Sequence, residues 1–134
     1  MKTFRNPPDV HAPQGVYRHQ VEIQGPERLL VLSGQVGARP DGSIPEDGLE
    51  QLELVLENIA RNLRAAGMDF ADVFKISYFL MGEFDLPRLR EMMRARFGDH
   101  APCATLLYVA GLASPAYRVE IEVWAGRADQ ASTI

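Results

Sequence analysis

Cysteine and histidine are scarce in this sequence, and their scarcity excludes several kinds of site. Cys103 is the single cysteine among 134 residues, which excludes an intrachain disulfide and a zinc site built from cysteines. His11, His19 and His100 lack the spacing of metal-ligand motifs, so we interpret them as surface or capping residues. Phosphate-binding and dinucleotide-binding glycine loops are missing as well. We therefore expect no metal and no cofactor.

Excess positive charge and long apolar runs are also lacking. Lysine and arginine number 14 against 18 acidic residues, which gives a net charge of −4. This balance offers no general attraction to nucleic acid or to an anionic membrane, so neither is an expected partner. No apolar run approaches the roughly 20 residues of a transmembrane helix, and the first residues lack the apolar stretch of a signal peptide. The expected location is the cytoplasm.

The apolar pattern that is present predicts a single domain over residues 1–134. The domain includes an irregular N-terminal segment at 6–15 and a short C-terminal tail at 127–134. One amphipathic helix is predicted between the N-cap Asp47 and the stop Gly67, and a second between Asp85 and Gly98. Strands are predicted at residues 16–23, 28–33, 73–81, 104–110 and 117–125.

The order of these elements predicts a mixed sheet, because a strand follows each helix and crossover connections are therefore needed. Several of the strands are apolar on both faces, at residues 29–32, 74–81 and 106–109. Strands of that kind need cover on both sides, and two helices can cover only one. A second copy of the chain is the simplest cover for the other face, so we expect an obligate homo-oligomer.

Three features have the composition of a ligand site. Ser33-Gly34 ends an apolar strand and is followed by two further glycines and a Pro40-Asp41-Gly42 turn, a pattern that can bring bare backbone N–H groups to a ligand or simply form a turn. Strand alternation places Glu120 and Glu122 on one sheet face, either solvated or held at an oligomer cleft. Tyr17 either packs its ring or orients a ligand.

Several of these segments, taken in order and spacing, resemble the RidA family, also called YjgF or endoribonuclease L-PSP. The similarity extends from about residue 13 to residue 125. It implies an α+β, chorismate-mutase-like fold with a mixed sheet and two helices on one face. It also implies a homotrimer whose sheets form a central barrel, with ligand clefts between subunits. The matching segments are Ser33-Gly34-Gln35-Val36-Gly37, Pro40-Asp41-Gly42, Ala66-Gly67, Asp72-Val73-Phe74-Lys75 and Val119-Glu120-Ile121-Glu122.

The resemblance also implies a small-molecule metabolite as the partner and assigns roles to particular residues. The best-known members hydrolyse enamines and imines such as 2-aminoacrylate, and Glu120 matches the residue implicated there in activating water. Tyr17 and the Ser33-Gly34 backbone match substrate-contacting positions, and Ala104, Thr105 and Leu106 complete the expected cleft. The family arginine that holds the substrate carboxylate is replaced by Ala104, and the family cysteine by Leu106. Cys103 therefore inherits no role.

Three hypotheses follow: an imine or enamine hydrolase with a substrate other than 2-aminoacrylate, a noncatalytic ligand-binding trimer, and the ribonuclease of the older family name. The acidic charge and the lack of a basic aromatic stripe disfavour the third. Arg90, Arg94 and Arg96 on the second helix are possible replacements for the missing arginine. A solvated helix face is the favoured interpretation of these three residues.

Overall fold

The computed structural model describes residues 1–128, in which four strands precede the first helix, one strand lies between the two helices and two strands follow the second. The elements are β1 (Lys2–Arg5), β2 (Gln20–Ile23), β3 (Arg28–Val31), β4 (Gln35–Val36), α1 (Gly48–Ala65), a 3₁₀ turn (Phe70–Asp72), β5 (Val73–Leu80), α2 (Leu86–Phe97), β6 (Cys103–Tyr108) and β7 (Val119–Arg127).

Both helices start and stop where the sequence predicts. The Asp47 carboxylate accepts the Glu50 N–H at 3.1 Å, and the Asp85 carboxylate accepts the Arg88 N–H at 3.1 Å. These side chains satisfy N–H groups that the first helical turn leaves without a partner. Gly98 ends α2 with a φ of 61°, a left-handed conformation that glycine adopts without steric cost.

The N-terminal strands differ from the prediction. The strand expected at 16–23 begins only at Gln20, because the Tyr17 N–H bonds back to the Gly15 carbonyl and the chain turns there. This strand pairs with β1, which the sequence analysis does not predict, in a separate two-stranded sheet. At the other end β7 continues to Arg127, so the predicted tail begins one residue later; its residues 129–134 lie outside the described part of the chain.

The main sheet is mixed, as predicted. Its strand order is β3-β7-β5-β6, with β4 added beside β7. β5 and β6 are parallel, and α2 is the crossover that connects them. The remaining pairs are antiparallel. β7 is therefore the central strand, and it carries Glu120 at the point where β4 and β5 flank it.

Both helices pack on one face of this sheet. Val119, Ile121, Val123 and Ala125 of β7 alternate toward this face and are fully buried. They form one core with Leu52, Val55, Leu56, Ile59 and Leu63 of α1 and with Leu89, Met92 and Met93 of α2. Burial of this set supplies most of the driving force for docking the helices, at roughly 2 kcal/mol for each large apolar side chain.

The glycine-rich stretch is held against α1 by close contact. A Cβ at Gly37 would lie 2.6 Å from the Gln51 Cα, closer than packed atoms allow, so only glycine permits this approach. The buried Gln51 amide donates to the Pro45 and Ala116 carbonyls and accepts the Arg118 N–H. Asn58 donates to the carbonyls of Val36 and Ala38. These bonds place β4, and with it Gly34, beside β7.

Within residues 1–128 no helix covers the second face of the main sheet, and we call it the open face. Trp124, Leu29 and Val31 on this face are 43%, 61% and 54% exposed. The register places Lys75, Ser77, Phe79, Cys103, Thr105, Leu107, Glu120 and Glu122 on the same side. Within residues 1–128, neither helix is long and apolar enough to cross a membrane.

Candidate functional site

The residues singled out from the sequence fall into two groups on opposite faces of the main sheet. Ser33, Gly34, Glu120 and Thr105 belong to the open face and its edge, whereas Tyr17, Ala104 and Leu106 line a groove on the helix side. The pairing explains the division, because Ala104 stands opposite Ile76 and Thr105 stands opposite Ser77, and alternate residues of a strand point to opposite faces. Within one chain the two groups cannot contact the same small ligand.

Glu120 and Gly34 are in direct contact. A Cβ at Gly34 would lie 2.7 Å from the Glu120 Cδ, so any larger residue there would displace the carboxylate. The half-buried Glu120 carboxylate has no hydrogen-bond or ion-pair partner among the described residues, and neither do the backbone N–H groups of Ser33 and Gly34. Two free donors in the connection between β3 and β4 therefore lie beside a free carboxylate on β7.

Thr105 lies further along the open face, where its hydroxyl accepts a hydrogen bond from the Lys75 ammonium at 2.9 Å. Cys103 is the cross-strand neighbour of Lys75. Burial raises the pKa of the Cys103 thiol, and this outweighs the opposing charges of Lys75 and Arg18. A thiol held protonated is a poor nucleophile, which agrees with giving Cys103 no chemical role.

The helix-side group lines a groove of about 440 Å³ between α2 and β6, which we call the α2–β6 groove. Its floor and walls are largely apolar, with Ile76, Tyr78, Leu89, Met93, Phe97, Ala104 and Leu106 contributing. A volume of this size accommodates a small metabolite. Gly15, Val16 and Tyr17 of the N-terminal segment form part of its rim.

Tyr17 is fixed by its neighbours. Its hydroxyl accepts the Gln14 N–H at 3.1 Å, and its ring meets the His19 ring edge-on with centroids 5.6 Å apart. His19 in turn bonds through Nε2 to the His11 carbonyl at 2.7 Å. These contacts hold the phenol at the groove while one lone pair of its oxygen stays available to a ligand.

Two polar residues of the groove were not predicted from the sequence. Tyr78 faces the helices from β5, and burial raises its pKa well above the ordinary value, so its phenol is neutral at physiological pH. The His100 ring stacks on Phe97 and lies 2.6 Å, through Nε2, from the Val73 carbonyl. Strand alternation from Ile76 could have assigned Tyr78 to this side, but His100 lies in a loop and no local pattern points to it.

The three arginines of α2 that the sequence analysis considers, out of four on this helix, have different surroundings. Arg96 donates to the carboxylates of Glu53 and Glu57 on α1 at 2.8 and 3.1 Å, so it joins the two helices. Arg90 and Arg94 both line the α2–β6 groove, and neither guanidinium has a partner in residues 1–128. The interpretation as a solvated helix face therefore holds for Arg90 and Arg94, which are exposed although they line the groove, and it is wrong for Arg96. Residues 1–128 also contain no cluster of three or more potential metal ligands.

The fold and these positions define a small α+β protein with a mixed sheet, helices on one face and a bare second face. The family model for endoribonuclease L-PSP matches residues 9–126. The chain therefore belongs to this family, the RidA or YjgF family, as its motifs suggested.

Curated relatives carry deaminase names. The chain is 32% identical over 110 residues to a 2-iminobutanoate/2-iminopropanoate deaminase of Mus musculus, covering 81% of this chain and 78% of the relative. A human protein of the same name is 32% identical over 98 residues, covering 72% and 71%.

Solved structures of Rid proteins have the same fold. A Rid-family protein of Yersinia pestis, described as of unknown function, superposes with a TM-score of 0.80 at 26% identity, covering 92% of this chain and 97% of that one. RidA from an Antarctic Psychrobacter gives a TM-score of 0.68 at 30% identity, covering 85% and 90%.

Proposed function

We propose that this protein hydrolyses small imines or enamines whose structure differs from that of 2-aminoacrylate. One observation carries the proposal: the unpartnered Glu120 carboxylate lies against Gly34, beside the two unpartnered N–H groups of Ser33 and Gly34. A base next to a pair of donors suits hydrolysis of a C=N bond, because the base activates water and the donors stabilise the oxygen charge that develops as the carbinolamine breaks down. Membership of the family and the deaminase names of its relatives support it.

The reaction follows from these groups. Glu120 accepts a proton from water as the water oxygen bonds to the imine carbon. That proton passes to nitrogen as the C=N π electrons move there, which gives a neutral carbinolamine. Glu120 then accepts the hydroxyl proton of the carbinolamine, and the N–H groups of Ser33 and Gly34 stabilise the charge that develops on oxygen. This second proton passes to nitrogen as the C–N bond breaks, so that ammonia leaves and the carbonyl forms. An imine and one water thus yield one carbonyl compound and one ammonia.

A complete site requires a second copy of the chain in this proposal. Glu120 and the α2–β6 groove lie on opposite faces of one sheet, so the groove of one subunit is completed by Glu120 and Gly34 of the next. The bare apolar open face supports such an assembly, because exposed patches of this kind are typical of interaction surfaces. We propose the homotrimer that the family resemblance implies.

The assembly can be tested by light scattering at micromolar concentration, where we expect three times the chain mass of 14.9 kDa. Val31→Lys puts a charge on the open face and should shift the protein toward monomer, because an unpaired charge is costly to bury. Val10→Lys changes another exposed valine, which lies outside the main sheet, and should leave the trimer intact. A monomeric wild type would overturn the intersubunit site.

The proposed activity is tested by ammonia release from freshly generated imines and enamines, compared with their spontaneous hydrolysis. We expect acceleration of at least one neutral or anionic imine with an apolar side chain. If ligands bind but no member of the panel is hydrolysed faster, the noncatalytic trimer is the correct account. The alanine at the position of the family arginine favours that second candidate.

A further inference from the structure

We infer that Arg90 and Arg94 form an anion-binding subsite in the α2–β6 groove, so that the ligand is an anion with an apolar body and its charge is held by α2. The inference rests on the proposed function for the location of the ligand. It goes beyond that function by assigning the residues that recognise charge and the chemical class that they select.

The placement of the two arginines is the first observation. They stand four residues apart on α2 and therefore project from the same helix face, the face that lines the groove together with Met93 and Phe97. The opposite wall is β6, where Ala104 and Leu106 offer only apolar surface. A ligand in the groove would meet positive charge on one side and hydrocarbon on the other.

The charge balance of the groove is the second observation. Like charges at this spacing destabilise a helix slightly, and no carboxylate among the described residues neutralises either guanidinium. Glu91 is the one acidic residue of the lining, and it is already paired with Arg88 at 2.8 Å. Arg96, on the same helix, has two glutamate partners. The contrast singles out Arg90 and Arg94 as the cations left for a ligand.

Arginine suits this role because its planar guanidinium pairs with a carboxylate through two parallel hydrogen bonds. Both arginine side chains are exposed and have no partner among the described residues, so neither has to break a contact to reach a ligand in the groove. The apolar body of the ligand would then lie over Ala104 and Leu106, where a guanidinium on β6 would otherwise occupy the space. Compared with an arginine at this position, Ala104 therefore leaves a larger apolar space in the groove, and α2 supplies the positive charge.

Phenylacetate and its neutral analogue phenylacetamide are suitable probes, with dissociation constants measured by calorimetry on the intact oligomer. We expect the wild type to bind phenylacetate more tightly than phenylacetamide. In the double variant Arg90→Ala/Arg94→Ala the Kd of phenylacetate should rise about ten- to hundredfold, the range for losing hydrogen bonds to a charged group. The Kd of phenylacetamide should stay unchanged, and the lysine pair Arg90→Lys/Arg94→Lys should restore part of the loss.

Arg61→Ala is the control, because it removes one exposed arginine from α1 and leaves the groove untouched. Equal binding of phenylacetate by wild type and double variant, or an equal loss in Arg61→Ala, overturns the inference. Preserved far-UV circular dichroism and phenylacetamide binding exclude misfolding as the cause of a loss. Charge-dependent binding without any imine hydrolysis would sustain the anion subsite and refute the proposed function. Imine hydrolysis at the wild-type rate in Arg90→Ala/Arg94→Ala would sustain the proposed function and refute the anion subsite.

Discussion

Replacing Glu120 by glutamine should lower kcat for imine hydrolysis by about a hundredfold or more, the usual contribution of general acid–base assistance. The amide keeps the shape of the side chain and its contact with Gly34, but it lacks a basic oxygen. We therefore expect a lower kcat and an unchanged oligomer mass. The kcat is measured by ammonia release with the imine that the wild type hydrolyses fastest.

Glu122→Gln is the matched control for this measurement. Glu122 lies on the same face of β7 two residues further along, opposite Ser77, and it has no glycine beside it. Glu122→Gln also removes one negative charge from β7. It should change kcat by less than about threefold, well below the effect of losing a catalytic base. Wild-type activity in Glu120→Gln would show that Glu120 is not the catalytic base and would overturn the proposed site.

With 2-aminoacrylate as substrate, the wild-type protein should be slower by about a thousandfold than a family member that has the arginine, since a lost charged contact of this kind costs several kcal/mol. Ala104 offers no donor to the carboxylate. A carboxylate drawn instead to Arg90 or Arg94 would lie on the α2 wall of the groove. Because 2-aminoacrylate has only three carbons, its C=N group would then lie away from the position that it takes when an arginine on β6 holds the carboxylate.

Ala104→Arg tests this explanation directly. The new guanidinium should raise kcat/KM for 2-aminoacrylate by about tenfold or more, the equivalent of regaining one charged hydrogen bond, although Leu106 on the same side of β6 will crowd it. Ala104→Lys is the control for charge without the planar fork and should recover less. If the wild type hydrolyses 2-aminoacrylate as fast as arginine-containing members do, the assignment of Ala104 to the position of the family arginine is wrong.

Local patterns in the sequence were sufficient for the helices, for most strands and for the side on which Glu120 lies. The caps Asp47 and Asp85 and the stop Gly98 depend on backbone groups within a few residues, so their signals are readable without the fold. The alternation of β7 has the same local origin, because successive side chains of a strand point to opposite faces. β1 escaped prediction since its pairing with β2 joins residues far apart in the chain.

The composition of the site depended on tertiary structure. Ala104 and Thr105 are neighbours in sequence, yet the parallel pairing of β6 with β5 sends one into the α2–β6 groove and the other to the open face. Arg90, Arg94 and Arg96 look alike in the sequence, and only the docking of α2 distinguishes the pair at the groove from the residue bound to Glu53 and Glu57. Sequence periodicity thus determined which way each side chain points from its own element. The packing of elements distant in the chain decided what each side chain meets, because contacts across a fold depend on docking and leave no local signal.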